Sequence, residues 1–327
     1  MSTYTPQQVV AIGLANAERA EAQRHRAIPF PIPGIDDYIA HLLPGEIFSI
    51  LAQTHMNKSG LIEWWEYKLA TSLLDNGRTD EVIVHVDTET VIEDQAAAAF
   101  GRQAGVNPAD IVRGNIDDWD ALRSAAVQVG VIPIVRIGVS LGAQGDSFSD
   151  IYLSHIEAEM TRIESGQIFG NKRKVAALFV DYLQALPFDP EVKRASLGDR
   201  RRLQVRADMF NLRDIGRRFS TPVIVGVQAK QDLSGHLGPN MYIPGIYDGV
   251  ETADIATRTD RMVSLWMPKN THSQGEALRH KDLTFTVREN LMFVRALKQR
   301  GRLPSGRVWP CYIDFATGRI LVAQRLE

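Results

Sequence analysis

The chain has 327 residues, is 44% hydrophobic and 23% charged, and carries a formal net charge of −2. That length and apolar content suit one large or two modest soluble domains with a sizeable core. The near-neutral balance excludes a global attraction to nucleic acid or anionic membrane, so any such contact has to be a local patch. A lone Cys311 excludes an internal disulfide framework and a cysteine-rich zinc site, and a reducing cytoplasm is the simplest setting. No apolar stretch reaches the roughly 20 residues of a membrane helix, and the N-terminus carries acids and lacks the apolar core of an export signal.

In chain order, Thr5-Pro6-Gln7-Gln8 offers an N-cap, a proline at the first helical position and a capping-box glutamine. A helix is predicted over residues 5–24, with Val10, Leu14 and Ala17 as a narrow stripe that needs a surface to dock on. The alternating prolines of Ile28-Pro29-Phe30-Pro31-Ile32-Pro33-Gly34 force an extended, stiff segment. Residues 1–33 are therefore predicted as an arm and linker suited to inter-subunit docking, and 34–327 as one domain. From Gly34 onward strands and helices alternate, which predicts a mostly parallel sheet flanked by helices. Predicted strands are Ile47–Leu51, Val82–Val86, Ile132–Ile137, Val175–Val180, Val223–Val227, Met262–Trp266 and a C-terminal set over Leu283–Leu297 and Val308–Ile313. Predicted helices are Ser59–Asn76, Glu93–Ala104, Trp119–Val129, Ser149–Ile163 and Arg201–Phe219.

Residues 52–59, Ala52-Gln53-Thr54-His55-Met56-Asn57-Lys58-Ser59, approach the phosphate-binding pattern G-x-x-x-x-G-K-[ST] between a strand and a helix. In such a loop backbone N–H groups wrap the phosphates, the lysine reaches the β- and γ-phosphates, and the Ser/Thr hydroxyl binds Mg²⁺. Lys58 and Ser59 fit those roles. Ala52 and Asn57 stand where the pattern has glycine, and asparagine is the residue that best replaces glycine in the left-handed region. An ordinary strand–helix turn with a surface lysine explains the same residues. Val175–Asp181 is a buried-strand run ending in an acid, the way a Walker B strand presents a carboxylate to Mg²⁺, although buried strands ending in aspartate are common. The two in this order point to a P-loop ATPase with ATP and Mg²⁺ as ligands.

Asp181-Tyr182-Leu183-Gln184 resembles the I-D-Y-L-Q signature of DnaB-type replicative helicases, and the loop resembles that family's A-R-P-S-M-G-K-T, with Ala52 and Met56 matching and Asn57 departing. Pro44-Gly45-Glu46 is similar to the family's P-G-D or P-G-E before the first strand. Asp87-Thr88-Glu89 ends a strand where the family has S-L-E, which implies Glu89 as the carboxylate that polarises the attacking water. Thr221–Gln228 resembles V-P-V-V-x-x-S-Q, implying that Gln228 senses the γ-phosphate or couples it to DNA loops; Ala229-Lys230-Gln231 departs from the L-N-R that follows. Lys298-Gln299-Arg300-Gly301-Arg302-Leu303-Pro304-Ser305-Gly306 resembles K-x-R-N-G-P-x-G, implying that Lys298 and Arg300 reach the neighbouring subunit's γ-phosphate. The resemblance spans roughly residues 34–320. It implies a RecA-like core, a homo-oligomeric ring, most simply a hexamer, and single-stranded DNA in the pore. Replicative members carry a separate N-terminal helical domain that docks primase, where only the short arm is expected here.

Two segments are predicted to face nucleic acid: Phe188–Arg200, with Lys193, Arg194 and Arg200, and Gln231–Gly249, with Tyr242, Tyr247, Asp248 and Gly249, whose tyrosines could stack on bases. Asp248-Gly249-Val250-Glu251 is similar to the family's S-G-x-I-E turn. Flexible connections with incidental aromatics account for them equally. Arg202, Arg206, Arg213 and Arg217 form a basic ridge that a solvated helix face also explains. The histidines have no metal-ligand spacing, and His55 alone is expected near the chemistry. Two functions fit: an ATP-driven, helicase-like ring motor on single-stranded DNA, or a nucleotide-binding RecA-like scaffold or adaptor that oligomerises with little hydrolysis. A recombinase-like or clock-ATPase-like relative is the third, weaker reading.

Overall fold

Strand β1 (Ile47–Ala52) is buried along its whole length. Its side chains alternate between two cores, as the twofold period of a strand requires: Phe48 and Ile50 enter one, Ile47 and Leu51 the other. A strand apolar on both faces has to lie between helical layers, and β1 does. The computed structural model describes residues 3–142, 151–187, 200–230, 243–249, 252–280, 283–300, 306–315 and 317–323.

The elements in chain order are α1 (Pro6–Ala22), β1, α2 (Lys58–Asp75), β2 (Glu81–Asp87), α3 (Ile92–Ala104), α4 (Pro108–Arg113), α5 (Trp119–Gly130), β3 (Ile134–Ile137), α6 (Leu153–Ser165), β4 (Lys174–Asp181), α7 (Arg200–Arg218), β5 (Val223–Gln228), α8 (Thr252–Arg258), β6 (Arg261–Trp266), β7 (Ala277–His280), β8 (Leu283–Thr286), β9 (Leu291–Gln299), β10 (Val308–Asp314) and β11 (Arg319–Val322). The main sheet runs β11-β10-β9-β6-β1-β5-β4-β2-β3, with β7 and β8 as a separate hairpin. From β6 to β3 every pairing is parallel, and β9, β10 and β11 add an antiparallel meander. The mostly parallel α/β sheet flanked by helices read from the sequence is therefore present. The short elements α4, α8, β7 and β11 were not predicted. The helix expected from Ser149 begins at Leu153, after an extended Tyr152.

Two consequences of this topology matter for function. The C-terminal ends of β1, β2, β4 and β5 open on one edge of the sheet, with Ala52 beside Gln228 and Asp87 beside Asp181. Strand β9 runs the other way, so its end, Met262↔Lys298, lies beside the start of β1.

The capping box predicted for α1 is formed: Gln8 N–H donates to Thr5 Oγ1 at 3.3 Å and Thr5 N–H to Gln8 Oε1 at 2.8 Å. No residue of α1 is buried, and Val10 and Leu14 stand in solvent. The proline segment is different. Ile28, Phe30 and Ile32 are buried in the core, so this stretch packs with the domain and leaves α1 as the arm. Phe30 joins an aromatic cluster with Phe48, Trp65 and Phe179, Trp65 lying 5.3, 4.9 and 6.1 Å from the other three ring centroids. Trp65→Ala is expected to lower unfolding free energy by about 3–5 kcal/mol in urea titration; a loss under about 1 kcal/mol would show that this cluster does not carry the sheet–helix contact.

Candidate functional site

After β1 the chain turns through 53–57 and enters α2 at Lys58. Asn57 holds φ +59°, the left-handed conformation expected of it, and His55 holds φ +64°, a second positive φ that the sequence did not signal. The turn is tied down from several sides. Gln53 Nε2 donates to Lys230 O at 2.6 Å, Asn270 Nδ2 donates to His55 O at 2.7 Å, and Met56 is buried, its sulfur accepting the Met267 N–H at 3.1 Å. The Asn57 side chain does not cap the helix. It lies against Gly60, where an added Cβ would stand 2.3 Å from Asn57 Oδ1. The glycine missing before the lysine is thus matched by a glycine three residues later that makes room for its replacement. The N–H groups of the first helical turn have no intrahelical acceptor and face outward with the positive end of the helix dipole, the arrangement that receives phosphate.

Lys58 Nζ forms an ion pair with Asp181 Oδ1 and sits 4.2 Å from the centroid of the Tyr182 ring. Gly226, between them on β5, permits this approach: a Cβ there would lie 2.8 Å from Asp181 Oδ1 and 3.1 Å from Lys58 Nζ. The signal was available, since one glycine inside Val223-Ile224-Val225-Gly226-Val227 marks a close approach. Ser59 is exposed on the first turn of α2. The Ser59 hydroxyl and the Asp181 carboxylate are hard oxygen donors, which suits Mg²⁺ carried on nucleotide phosphates.

Glu89 is exposed beyond the end of β2. Its carboxylate accepts a hydrogen bond from the Tyr182 hydroxyl, and burial together with this carboxylate pushes the Tyr182 phenol up. Thr88 fastens the two strand ends together: its N–H and Oγ1 donate to Asp181 O at 2.9 and 3.1 Å, and its Oγ1 accepts from Tyr182 N–H at 3.1 Å. Gln228 closes the group. Its Nε2 donates to Thr54 Oγ1 at 2.8 Å, while Gln184 grips its backbone, accepting Gln228 N–H at 3.0 Å and donating to Gln228 O at 3.3 Å. The roles of Gly226, Thr88 and Gln184 were not assigned from the sequence. The structure thus gathers residues 52–59, Glu89, Asp181 and Gln228 at one sheet edge.

Lys298 and Arg300 are not in that group. Through β6, Lys298 lies level with Ser49 and Arg300 with the start of β1, about 10 and 17 Å of strand short of the loop. Arg300 Nη1 pairs with Asp260 Oδ1 at 2.7 Å, and Asp260 Oδ2 also accepts from Arg213 Nη2 at 2.8 Å and Ile47 N–H at 2.9 Å. Lys298 Nζ donates to Ala256 O at 2.5 Å and Thr257 O at 3.2 Å; burial and Arg300 push its pKa down.

Of the residues proposed for nucleic acid, Lys193, Arg194 and Tyr242 lie outside the described residues, and Arg200 opens α7 with its side chain outside them. Tyr247 is exposed, and the turn through Asp248 and Gly249 folds back on the exit of β5: Lys230 N–H donates to Asp248 O at 2.8 Å, and Ala229 pairs with Gly249. The arginine ridge on α7 is partly spent inside the chain, Arg213 on Asp260 and Arg206 at 3.9 Å from Asp254.

The strand order and the strand–loop–helix placement are those of a RecA-like fold. No protein-family model and no curated protein matches the chain. Solved structures do. One is a DnaB-like replicative helicase, described with its interactions with primase: TM-score 0.69 and 17% identity over 98% of this chain and 67% of that one. Another is an ATPase domain matched at TM-score 0.68 and 16% identity over 99% of this chain and 100% of that one. At these identities the fold is what is shared, so the chain has the fold of a DnaB-type helicase ATPase domain. Among the described residues, no helix is long and apolar enough to cross a membrane.

Two outcomes follow from this geometry. Gly60→Ala is expected to weaken binding of a fluorescent ATP analogue at least 10-fold, and Asn57→Gly in the same chain to restore most of it, because the clash is between those two side chains; equal binding in Gly60→Ala and the parent would contradict it. The second concerns the buried pair of His85 and Glu66, 2.5 Å apart. Burial opposes charge on both, yet Glu66 raises the His85 pKa above its ordinary 6.5, and His85 with Arg136 holds Glu66 down to about 2. The His85 contribution is therefore complete below about pH 6.5 and lost as pH rises through the raised folded value; that of Glu66 is complete above about pH 4.5 and lost as pH falls toward 2. The parent's excess melting temperature over His85→Gln is expected to shrink as pH rises above 6.5. A constant excess from pH 6 to 10 would show no linked proton.

Proposed function

We propose that the chain is an ATP hydrolase that works as a homo-oligomeric ring motor, most simply a hexamer, on single-stranded DNA. The observation that carries this reading is the split between the two sheet edges. The phosphate loop, Asp181, Glu89 and Gln228 meet at one edge, while Lys298 and Arg300 stand at the other, too far from their own chain's loop to act on it. On this reading such cations serve a phosphate on a neighbouring copy, and the site is completed between subunits. The exposed arm α1 offers a means of holding neighbours together.

In this reading Lys58 and the backbone N–H groups at the start of α2 bind the β- and γ-phosphates, and Lys58 exchanges Asp181 for phosphate oxygens. Ser59 and Asp181 would hold Mg²⁺, which would supply charge neutralisation to the phosphates. Glu89 accepts the proton of the water that attacks the terminal phosphorus. Lys298 and Arg300 of the adjacent subunit stabilise the charge that develops there. Gln228, bonded to Thr54, registers whether the terminal phosphate is present. Its backbone leads to the turn carrying Tyr247, Asp248 and Gly249, which is how hydrolysis would reach a DNA strand.

Lys58→Ala and Arg300→Ala are each expected to cut ATP turnover, by about 100-fold or more and about 1,000-fold or more respectively. Mixing the two inactive variants should restore part of the activity, because some interfaces then combine an intact loop with an intact arginine. No recovery on mixing under conditions of subunit exchange would overturn action between subunits. A second reading, a RecA-like scaffold with little hydrolysis, draws support from the in-chain partners of Lys58 and Arg300, both of which must be given up for catalysis. It predicts nucleotide-dependent assembly without turnover or unwinding of a forked duplex.

A further inference from the structure

A buried ionic chain runs beneath Glu89 without reaching the phosphate loop. Glu66 lies on α2, about two turns past Lys58. Its Oε2 is 2.5 Å from His85 Nδ1 on β2, and its Oε1 accepts from Arg136 Nη2 on β3 at 2.7 Å. Arg136 Nη1 donates to Gln95 Oε1 at 3.0 Å. With Nδ1 engaged by Glu66, the ring turns its other nitrogen toward Asp87: Nε2 is buried without a hydrogen bond and lies 4.0 Å from Asp87 Oδ2. The second oxygen of Asp87 then holds the turn that carries Glu89, accepting from Glu89 N–H at 2.9 Å and Thr90 N–H at 2.7 Å. Gln95 Nε2 completes the hold, donating to Thr90 O at 2.8 Å.

Apolar packing was available at this place. Ile83, two residues before His85 and on the same face of β2, is an ordinary core residue. Glu66 and His85 are almost wholly inaccessible to solvent, and charges taken out of water at such a place cost several kcal/mol each before pairing; a packed hydrophobic alternative is usually at least as stable. What the ionic chain supplies that leucines could not is a direction. It aims a ring nitrogen at Asp87 from 4.0 Å, and Asp87 accepts two consecutive N–H groups.

We propose that Asp87 is a positioning residue for Glu89, and that the Glu66–His85 pair acts by holding Asp87 in the orientation that caps the Glu89 turn. The inference rests on Glu89 as the water-activating carboxylate. Among the described residues Tyr182 bonds the Glu89 side chain, while the backbone of its turn is held by Asp87, Gln95 and Thr88. Because Glu66 belongs to the helix that begins at Lys58, the same chain ties the water-activating turn to the phosphate-binding helix. A carboxylate misplaced by about 1 Å can cost two orders of magnitude in rate while leaving binding intact.

The test uses the full chain, single-turnover ATP hydrolysis and binding of a fluorescent ATP analogue. Asp87→Ala is expected to hydrolyse at least 10-fold more slowly than the parent with nucleotide affinity within about 3-fold. Asp87→Asn keeps an amide oxygen that accepts both N–H groups and should recover the rate to within about 3-fold of the parent. His85→Gln, which keeps the fold if Asp87→Ala does not, should be several-fold slower at unchanged affinity. Parent-like hydrolysis in Asp87→Ala, rate and affinity falling together, or Asp87→Asn as slow as Asp87→Ala would each overturn the proposal. Glu89→Gln separates the two layers: if it hydrolyses like the parent, the proposed role of Glu89 fails, whatever Asp87 does.

Discussion

An ammonium on the first turn of α2 and a carboxylate at the end of β4 share a space that only a glycine leaves open. Lys58 and Asp181 are mostly buried, their side chains retaining 10% and 5% of their accessibility. A buried pair of this kind gains less than its Coulomb attraction suggests, because both ions surrender hydration. Removing one partner strands the other. A phosphate group resolves the matter differently, since it brings its own negative oxygens to the lysine and its own cation to the aspartate. On the proposed function the pair would set a threshold that a ligand must exceed, and the surrounding residues hold its two ends: Gly226 leaves the space, Thr88 fastens the β4 end to β2, and Gln184 and Gln228 connect β4 through β5 back to Thr54.

The same logic recurs at the far edge of the sheet. Asp260 holds Arg300, Arg213 and the first N–H of β1 together, at the opposite end of the strand from residues 52–59. One doubly buried strand thus separates the two charged groups, and on the proposed function it would have a nucleotide-binding end and a nucleotide-serving end.

Much of this was legible in the sequence because it follows from local rules. Alternating apolar runs fixed the central strands to within a residue or two. Asn57 before Lys58 could be assigned a left-handed backbone because few other residues accept one, and the order of the loop, Asp181 and Gln228 along parallel strands implied that they would meet. Most of what could not be read depends on contacts distant in sequence. Even the local contact of Asn57 with Gly60 has no sequence signature. His85 reads as a polar residue in an apolar strand until Glu66 and Arg136 are seen to converge on it. The burial of Ile28, Phe30 and Ile32 was hidden by the prolines between them, which describe a stiff linker equally well. The small elements α4, α8, β7 and β11 were missed because four to seven residues carry too little periodicity to register.

The claim on which the rest depends is that a loop with asparagine in place of the last glycine still receives a nucleotide through Lys58. Fluorescence anisotropy of a labelled ATP analogue with Mg²⁺, comparing the parent with Lys58→Ala, measures this directly. Binding by the parent at micromolar concentrations and at least 10-fold weaker binding by the variant is the predicted result. Indistinguishable binding by the two proteins, or none by the parent, would contradict it.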